Sequence, residues 1–257
     1  MSGVRKSFKY FIIALLLVPC VFMLSACTDD TEPSDSQWRA IFNADLSSVT
    51  GAANVFLGNT TYDADSDVIY LNSDGDQTGP QVIFDSTDNN LDWDEDGMIV
   101  SARLNLLGSD YATGDGFNYT ISLNAVSEYQ EYNTERSLFV RKYAEGLKVG
   151  YIAEGSSEEA NETATSDDGA VTLEDGWYTI RFHFFENDLE EVKVTISVIN
   201  SDNVTVFEAK DQSYSNAENA ILKADEVLGI RSLSFSWLNI SEENLLACSA
   251  LSVEVSD

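Results

Sequence analysis

Residues 171–209 read VTLEDGWYTIRFHFFENDLEEVKVTISVINSDNVTVFEA, and side-chain polarity in this stretch alternates with a period of two. Tyr178, Ile180, Phe182 and Phe184 fall in one phase, and Trp177, Thr179, Arg181 and His183 fall in the other. A second run sets Val192, Val194, Ile196 and Val198 against Glu191, Lys193, Thr195 and Ser197. Successive side chains of a β-strand point to opposite faces, so both runs read as half-buried strands. Asn187-Asp188 and Ser201-Asp202-Asn203 supply turn chemistry, and a third strand starts at Val204–Phe207. The expectation is an antiparallel meander with one wet and one buried face.

Working outward, the same rhythm recurs. Trp38–Phe42, Ala53–Leu57, Val68–Leu71 and Val82–Phe84 are short apolar runs between Gly, Asn and Asp clusters. Gly97–Leu107, Gly116–Ala125, Ser137–Lys142 and Leu147–Ala153 follow, and Arg231–Leu238 and Leu251–Val255 close the chain. Ser156–Asp168 is acidic and lacks large apolar side chains, which predicts a mobile loop. Ala217, Ala220, Ile221 and Ala224 predict a short helix within Ala217–Val227. So many strands with hardly any helix indicate an all-β, two-sheet antiparallel sandwich of one domain spanning 38–257.

The N-terminus is organised differently. Arg5, Lys6 and Lys9 precede Phe11–Ala26, an apolar run of 16 residues that Pro19 interrupts and that is too short to span a bilayer. The run ends Leu24-Ser25-Ala26-Cys27, which resembles the cleavage motif of the bacterial lipoprotein signal at all four positions. The resemblance implies a signal peptide at 1–26, cleavage before Cys27, and lipidation of Cys27 with fatty acyl chains such as palmitate. It further implies an extracytoplasmic address in the cell envelope, held to a lipid membrane. Thr28 lacks the Asp that often retains lipoproteins in an inner membrane, which points to the outer membrane in a two-membrane cell. Residues 27–37 are polar and acidic and contain Pro33, the composition of a flexible tether.

Composition excludes some partners. The chain has 14 Lys+Arg against 44 Asp+Glu; removing Arg5, Lys6 and Lys9 with the signal leaves 14 − 3 = 11, a formal charge of −33. Such a surface repels phosphate backbones, which argues against nucleic acid. Cys20 and Cys27 belong to the signal region, so Cys248 alone remains and no disulfide within the sandwich can form. Its apolar setting, Leu245-Leu246-Ala247-Cys248, predicts a buried, inert thiol.

Beyond strand rhythm, DGWYTIRFHFF with VKVTISVIN, then GIRSLSFSW and a closing ALSVEV, is similar to the later half of concanavalin A-like jelly-roll domains. The similarity implies a jelly-roll sandwich. Members of that family serve as glycan-binding modules, adhesion domains, glucanases and polysaccharide lyases, and a fold of this kind does not select among them.

Several residues are candidates for a site. Asp92, Asp94 and Asp96 followed by Gly97 resemble the first half of an EF-hand loop, in which alternate oxygens converge on calcium. The twelfth position is Arg103 instead of a bidentate Glu, so a complete EF-hand is excluded. Asn72-Ser73-Asp74-Gly75-Asp76 is a weaker version. Glu186-Asn187-Asp188-Leu189-Glu190-Glu191 resembles the Glu-x-Asp-x-x-Glu signature of laminarinase-type glucanases, whose acids project from a strand into one cleft. Asn187 stands where that signature has an apolar residue, and Asn-Asp favours a turn, which leaves the acids solvated. His183 is the only histidine, so a histidine-based metal site is excluded. Trp177, Arg181 and His183 share a face that suits a ligand, and Trp177, Tyr111, Tyr129, Tyr132 and Trp93 are candidates for stacking on sugar rings.

No catalytic residues are assigned. The leading expectation is an anchored, non-catalytic binding module with a polysaccharide as candidate ligand and calcium as the one candidate cofactor. A glycan-active hydrolase or lyase of the same fold, and a structural or adhesive envelope protein, are the alternatives.

Overall fold

Strands that alternate polar and apolar residues must press their apolar phases together, and two facing sheets do this. The structure, a computed structural model, describes residues 38–43, 60–72, 78–84, 97–126, 131–152, 170–213, 221–238 and 245–256. All belong to the unit Trp38–Asp257; the unit Met1–Gln37, with Cys27, lies outside the described residues.

In chain order the strands are β1 Trp38–Asn43, β2 Thr60–Asp63, β3 Val68–Asn72, β4 Thr78–Ile83, β5 Met98–Leu106, β6 Gly116–Val126 and β7 Glu131–Tyr143. They continue as β8 Gly146–Ile152, β9 Val171–Leu173, β10 Gly176–Glu186, β11 Val192–Asn200, β12 Thr205–Ser213, β13 Val227–Leu238 and β14 Leu245–Ser256. One sheet, A, runs β12-β11-β10-β5-β14-β3-β2, with β1 beside the end of β14. The other, B, runs β4-β13-β6-β7-β8-β9. Consecutive strands β3 to β6 switch sheets at every step, as do β12 to β14, while β6–β9 and β10–β12 are meanders. The result is a two-sheet antiparallel jelly-roll sandwich.

The core is the inner phase of both sheets. Phe117, Tyr119, Ile121 and Leu123 of β6, with Leu233, Phe235 and Trp237 of β13, face Tyr178, Ile180, Phe182 and Phe184 of β10 and Val100, Ala102 and Leu104 of β5. Tyr119 stacks on Phe235 at 4.7 Å within sheet B and meets Phe182 of sheet A edge-on at 5.6 Å. Full burial of side chains this large is worth about 1.5–3 kcal/mol each. Arg136 is buried on the inner phase of β7 and donates to the carbonyl oxygen of Glu135 at 2.9 Å and to that of Ser213, tying β7 to the end of β12.

Two expectations need correction. β4 begins at Thr78, not Val82, and takes in Gly79-Pro80. Pro80 lacks an N–H, which an edge strand tolerates, and β4 is the edge of sheet B. A Cβ at Gly79 would collide with the carbonyl oxygen of Phe235, so the glycine permits the close approach of β4 to β13. The second correction is the helix expected within Ala217–Val227, whose described part is extended apart from one 3-10 turn at Ala224–Glu226. Val192 N–H donates to Leu222 O and Ala224 N–H to Glu190 O, both at 3.0 Å, which draws this segment along the β10–β11 hairpin. Leu222 and Ala224 are buried, a spacing of two, whereas a helix buries residues three and four apart. Ala53–Leu57 and Ser156–Asp168 lie outside the described residues.

The expected inert thiol is in place: Cys248 is buried and its S–H donates to Ala250 O at 3.3 Å. Burial pushes its pKa up to about 12 and raises those of the Tyr111 and Tyr119 phenols. The unfolded chain would release these protons at lower pH than the folded one, so the folded state binds more protons above pH 9. Stability is therefore expected to be unaffected by these groups below about pH 9 and to fall above it, each group removing up to about 1.4 kcal/mol per pH unit. Urea unfolding between pH 8 and 11 measures this, and Cys248→Ala should flatten the slope; an unchanged slope would remove the thiol from the account.

Candidate functional site

The phase opposite the core on β10 is Trp177, Thr179, Arg181, His183 and Phe185. β10 lies between β11 and β5 in unbroken antiparallel register, so its outer residues stand in rows with theirs. Arg181 pairs with Ser101 of β5 and Ser197 of β11, and Ser101 pairs in turn with Ser252 of β14. One row away, Thr179 stands between Arg103 and Ile199. His183 stands between Ile99 and Thr195, and Trp177 pairs with Asn105. Arg103 and Arg181 are exposed, while Trp177, Thr179, His183 and Phe185 are half-buried.

Ring contacts between described residues order this face. The Arg103 guanidinium carbon lies 5.5 Å from the centroid of the Trp177 ring, a cation–π distance. The His183 ring lies 5.3 Å from that of Phe185, tilted by 42°. The ladder partners of Arg181, Ser101 and Ser197, have short side chains, and Arg181 is exposed. The sequence thus placed Trp177, Arg181 and His183 on one face correctly. It did not single out Arg103, Phe185 or the serines, because the period-two pattern assigns phase within a strand but leaves the pairing of strands open.

The acidic hexapeptide is a turn. Asn187 Oδ1 accepts from Leu189 N–H at 3.0 Å and Glu191 N–H at 2.9 Å, and Asn187 Nδ2 donates to Glu191 Oε2 at 3.1 Å. Glu190 takes a φ of 61°, the left-handed conformation that closes such a turn. Lys193 Nζ lies 3.0 Å from Glu191 Oε2. Hydrogen bonds from Lys193 and then Asn187 hold the Glu191 carboxyl below its ordinary range, the condition of a fixed ion pair rather than of a general acid. Asp188 and Glu190 are exposed at the tip.

The remaining candidates divide. Tyr111 is corrected: it is buried, 6.5 Å from the Phe117 ring, and unavailable to a sugar. Asp92, Asp94, Asp96, Trp93 and Tyr129 lie outside the described residues, as does the side chain of Tyr132, whose backbone pairs with Ala125. Gly97 has a φ of 79°, and a Cβ there would strike the carbonyl oxygen of Phe184. The entry of β5 beside β10 therefore demands glycine whatever the preceding aspartates bind.

No family model matches the chain, and no curated protein does. Among solved structures it is similar to lectin I from Ulex europaeus in complex with the methyl glycoside of α-L-fucose, at 14% identity over 80% of this chain and 93% of that one, TM-score 0.42. It is similar to the marine PL-14 alginate lyase from Aplysia kurodai, at 11% identity over 79% and 82% of the two chains, TM-score 0.40. Alginate lyase Aly36B is 11% identical over 76% and 86%, TM-score 0.36. Likeness at these values bears on neither ligand nor activity.

The ordering of this face by Arg103 and Trp177 can be measured. Unfolding of Arg103→Ala, Trp177→Ala and the double variant in urea should give a coupling of about 0.5–1 kcal/mol, the range for an exposed cation–π pair. Additive losses would show that the two side chains do not hold each other.

Proposed function

We propose that this chain is a lipid-anchored, extracytoplasmic protein whose sandwich binds a glycan on the outer face of sheet A without turning it over. The observation that carries the reading is the clustering of Trp177, Arg103, Arg181 and the serine and threonine hydroxyls on adjacent central strands. A sugar ring offers C–H groups that pack on an aromatic face and hydroxyls that bond to side chains such as Arg, Asn, Ser and Thr. Successive outer residues are about 6.6 Å apart along a strand and neighbouring strands about 4.8 Å apart, which suits an extended ligand lying across several residues.

Binding without catalysis is favoured because the glucanase-like signature Glu186–Glu191 sits in a hairpin turn, with Asp188 and Glu190 in solvent and Glu191 engaged by Lys193. The anchor rests on the charged start, the short apolar run and Leu24-Ser25-Ala26-Cys27. Two or more acyl chains hold a protein stably where one does not.

The two halves of the proposal are tested separately. Cells expressing the chain should incorporate labelled palmitate into it and carry it in the membrane fraction, and Cys27→Ser should abolish both; label retained by Cys27→Ser refutes the anchor. A glycan array probed with and without calcium should show binding, and Trp177→Ala should weaken it roughly tenfold, the scale of one lost aromatic contact. Absence of binding in both conditions refutes the glycan reading.

A further inference from the structure

We propose that the glycan is an anionic polysaccharide, bearing carboxylate or sulfate groups, and that Arg181 assisted by Arg103 receives its acid groups. The inference rests on the reading of this face as the glycan surface. It begins from charge. Acids outnumber Lys and Arg by 44 to 11 once the three basic residues of the signal are removed, so a face drawn at random from this composition would be acidic. The outer phases of β5, β10 and β11 hold Ile99, Ser101, Arg103 and Asn105, then Trp177 to Phe185 by twos, then Lys193, Thr195, Ser197 and Ile199. They contain Arg103, Arg181 and Lys193; the carboxylates of this face stand at its margins, Glu191 next to the start of β11 against Lys193, Glu208 of β12 beside Ser197 and against Lys210, and Glu254 of β14 beside Ile99.

Their cations are not equivalent. Lys193 is neutralised by Glu191. Arg103 lies against Trp177. Arg181 is exposed, and among the described residues neither arginine is ion-paired. Arg103 pairs with Thr179, two residues from Arg181, which makes the two arginines diagonal neighbours on one face. Like charges so placed repel each other, and a neutral ligand leaves that repulsion intact. A carboxylate or sulfate relieves it and fits the planar fork of a guanidinium, which donates two parallel hydrogen bonds to such a group. Ser101, half-buried beside Arg181 in the ladder, adds a hydroxyl donor for an acid oxygen the fork leaves unfilled; Ser197 on the other side is buried.

The acidity of the rest of the chain gives the interaction an unusual salt dependence. At long range the protein repels a polyanion, and at contact the arginines attract it. Raising ionic strength from about 10 to about 100 mM shortens the screening length from about 30 to about 10 Å, which suppresses the repulsion first. Binding should strengthen over that interval and weaken at higher salt.

The test is affinity electrophoresis of the full-length chain in detergent through gels containing polygalacturonate, dextran sulfate or neutral dextran, repeated across ionic strength. Retardation by polygalacturonate or by dextran sulfate, at least roughly tenfold stronger than by dextran, is expected, and the stronger of the two identifies the acid group. Arg181→Ala should weaken that interaction roughly ten- to hundredfold, and Arg181→Lys should restore only part of it because a lysine cannot form the fork. Arg181 is exposed, and an unchanged near-ultraviolet circular dichroism spectrum verifies that the variants are folded. Equal retardation by dextran with no effect of Arg181→Ala overturns the anionic assignment while leaving the glycan reading standing. No retardation by any polymer, together with a blank array, removes both.

Discussion

The contact on which this sandwich depends is the meeting of Tyr119 with Phe182 across the two sheets, extended by the stacking of Tyr119 on Phe235. These rings place the centres of β6, β10 and β13 against one another. Once they are packed, the strand period leaves the outer side chains no choice of face: a slip of one residue in β10 would bury Trp177, Arg181 and His183 and expose Tyr178, Ile180 and Phe182. The composition of the outer face is thus a consequence of the core. Both are written in the same residues, in opposite phase.

That core is not optimised for stability alone. Among the described residues, the buried Tyr119 hydroxyl and Trp237 indole N–H find no hydrogen-bond partner. Each unmet polar group costs about 1–3 kcal/mol, comparable with what burial of a large side chain contributes. The rings are therefore held by the area and shape they supply. Replacing Trp237 with a smaller residue would trade one unmet donor for a cavity beside Phe117, whose ring lies 6.0 Å away.

Strand phase was legible in the sequence wherever alternation was clean, as in Gly176–Glu186 and Gly116–Val126, because a half-buried strand has no other way to satisfy both its faces. It was not legible at β4, where Gly79-Pro80 looks like a break; only the position of β4 at a sheet edge makes that dipeptide admissible. Nor was it legible between Ile221 and Ala224, where apolar residues fit two periods and hydrogen bonds to the β10–β11 hairpin decide between them. Arg103 shows the same limit at the site. Its phase could be read from its own strand, but its diagonal relation to Arg181 depends on which strand β5 lies beside, a property of topology.

Turn chemistry carried more information than strand chemistry about what the face is not. Asn200 repeats the work of Asn187: its Oδ1 accepts from Asp202 N–H at 3.0 Å and Val204 N–H at 2.9 Å, and Asn203 takes a φ of 59° where Glu190 takes 61°. Two successive hairpins of one meander use the same device although only the first is rich in acids. The asparagine is therefore the structural determinant of the turn, and the acids around Asn187 are residues that a solvated tip tolerates. Asp188 and Glu190 stand at the first tip and Asp202 at the second, while Arg181 lies mid-strand on β10. On the face between the tips Arg181 is therefore set apart from the acids of both turns by the length of the strand.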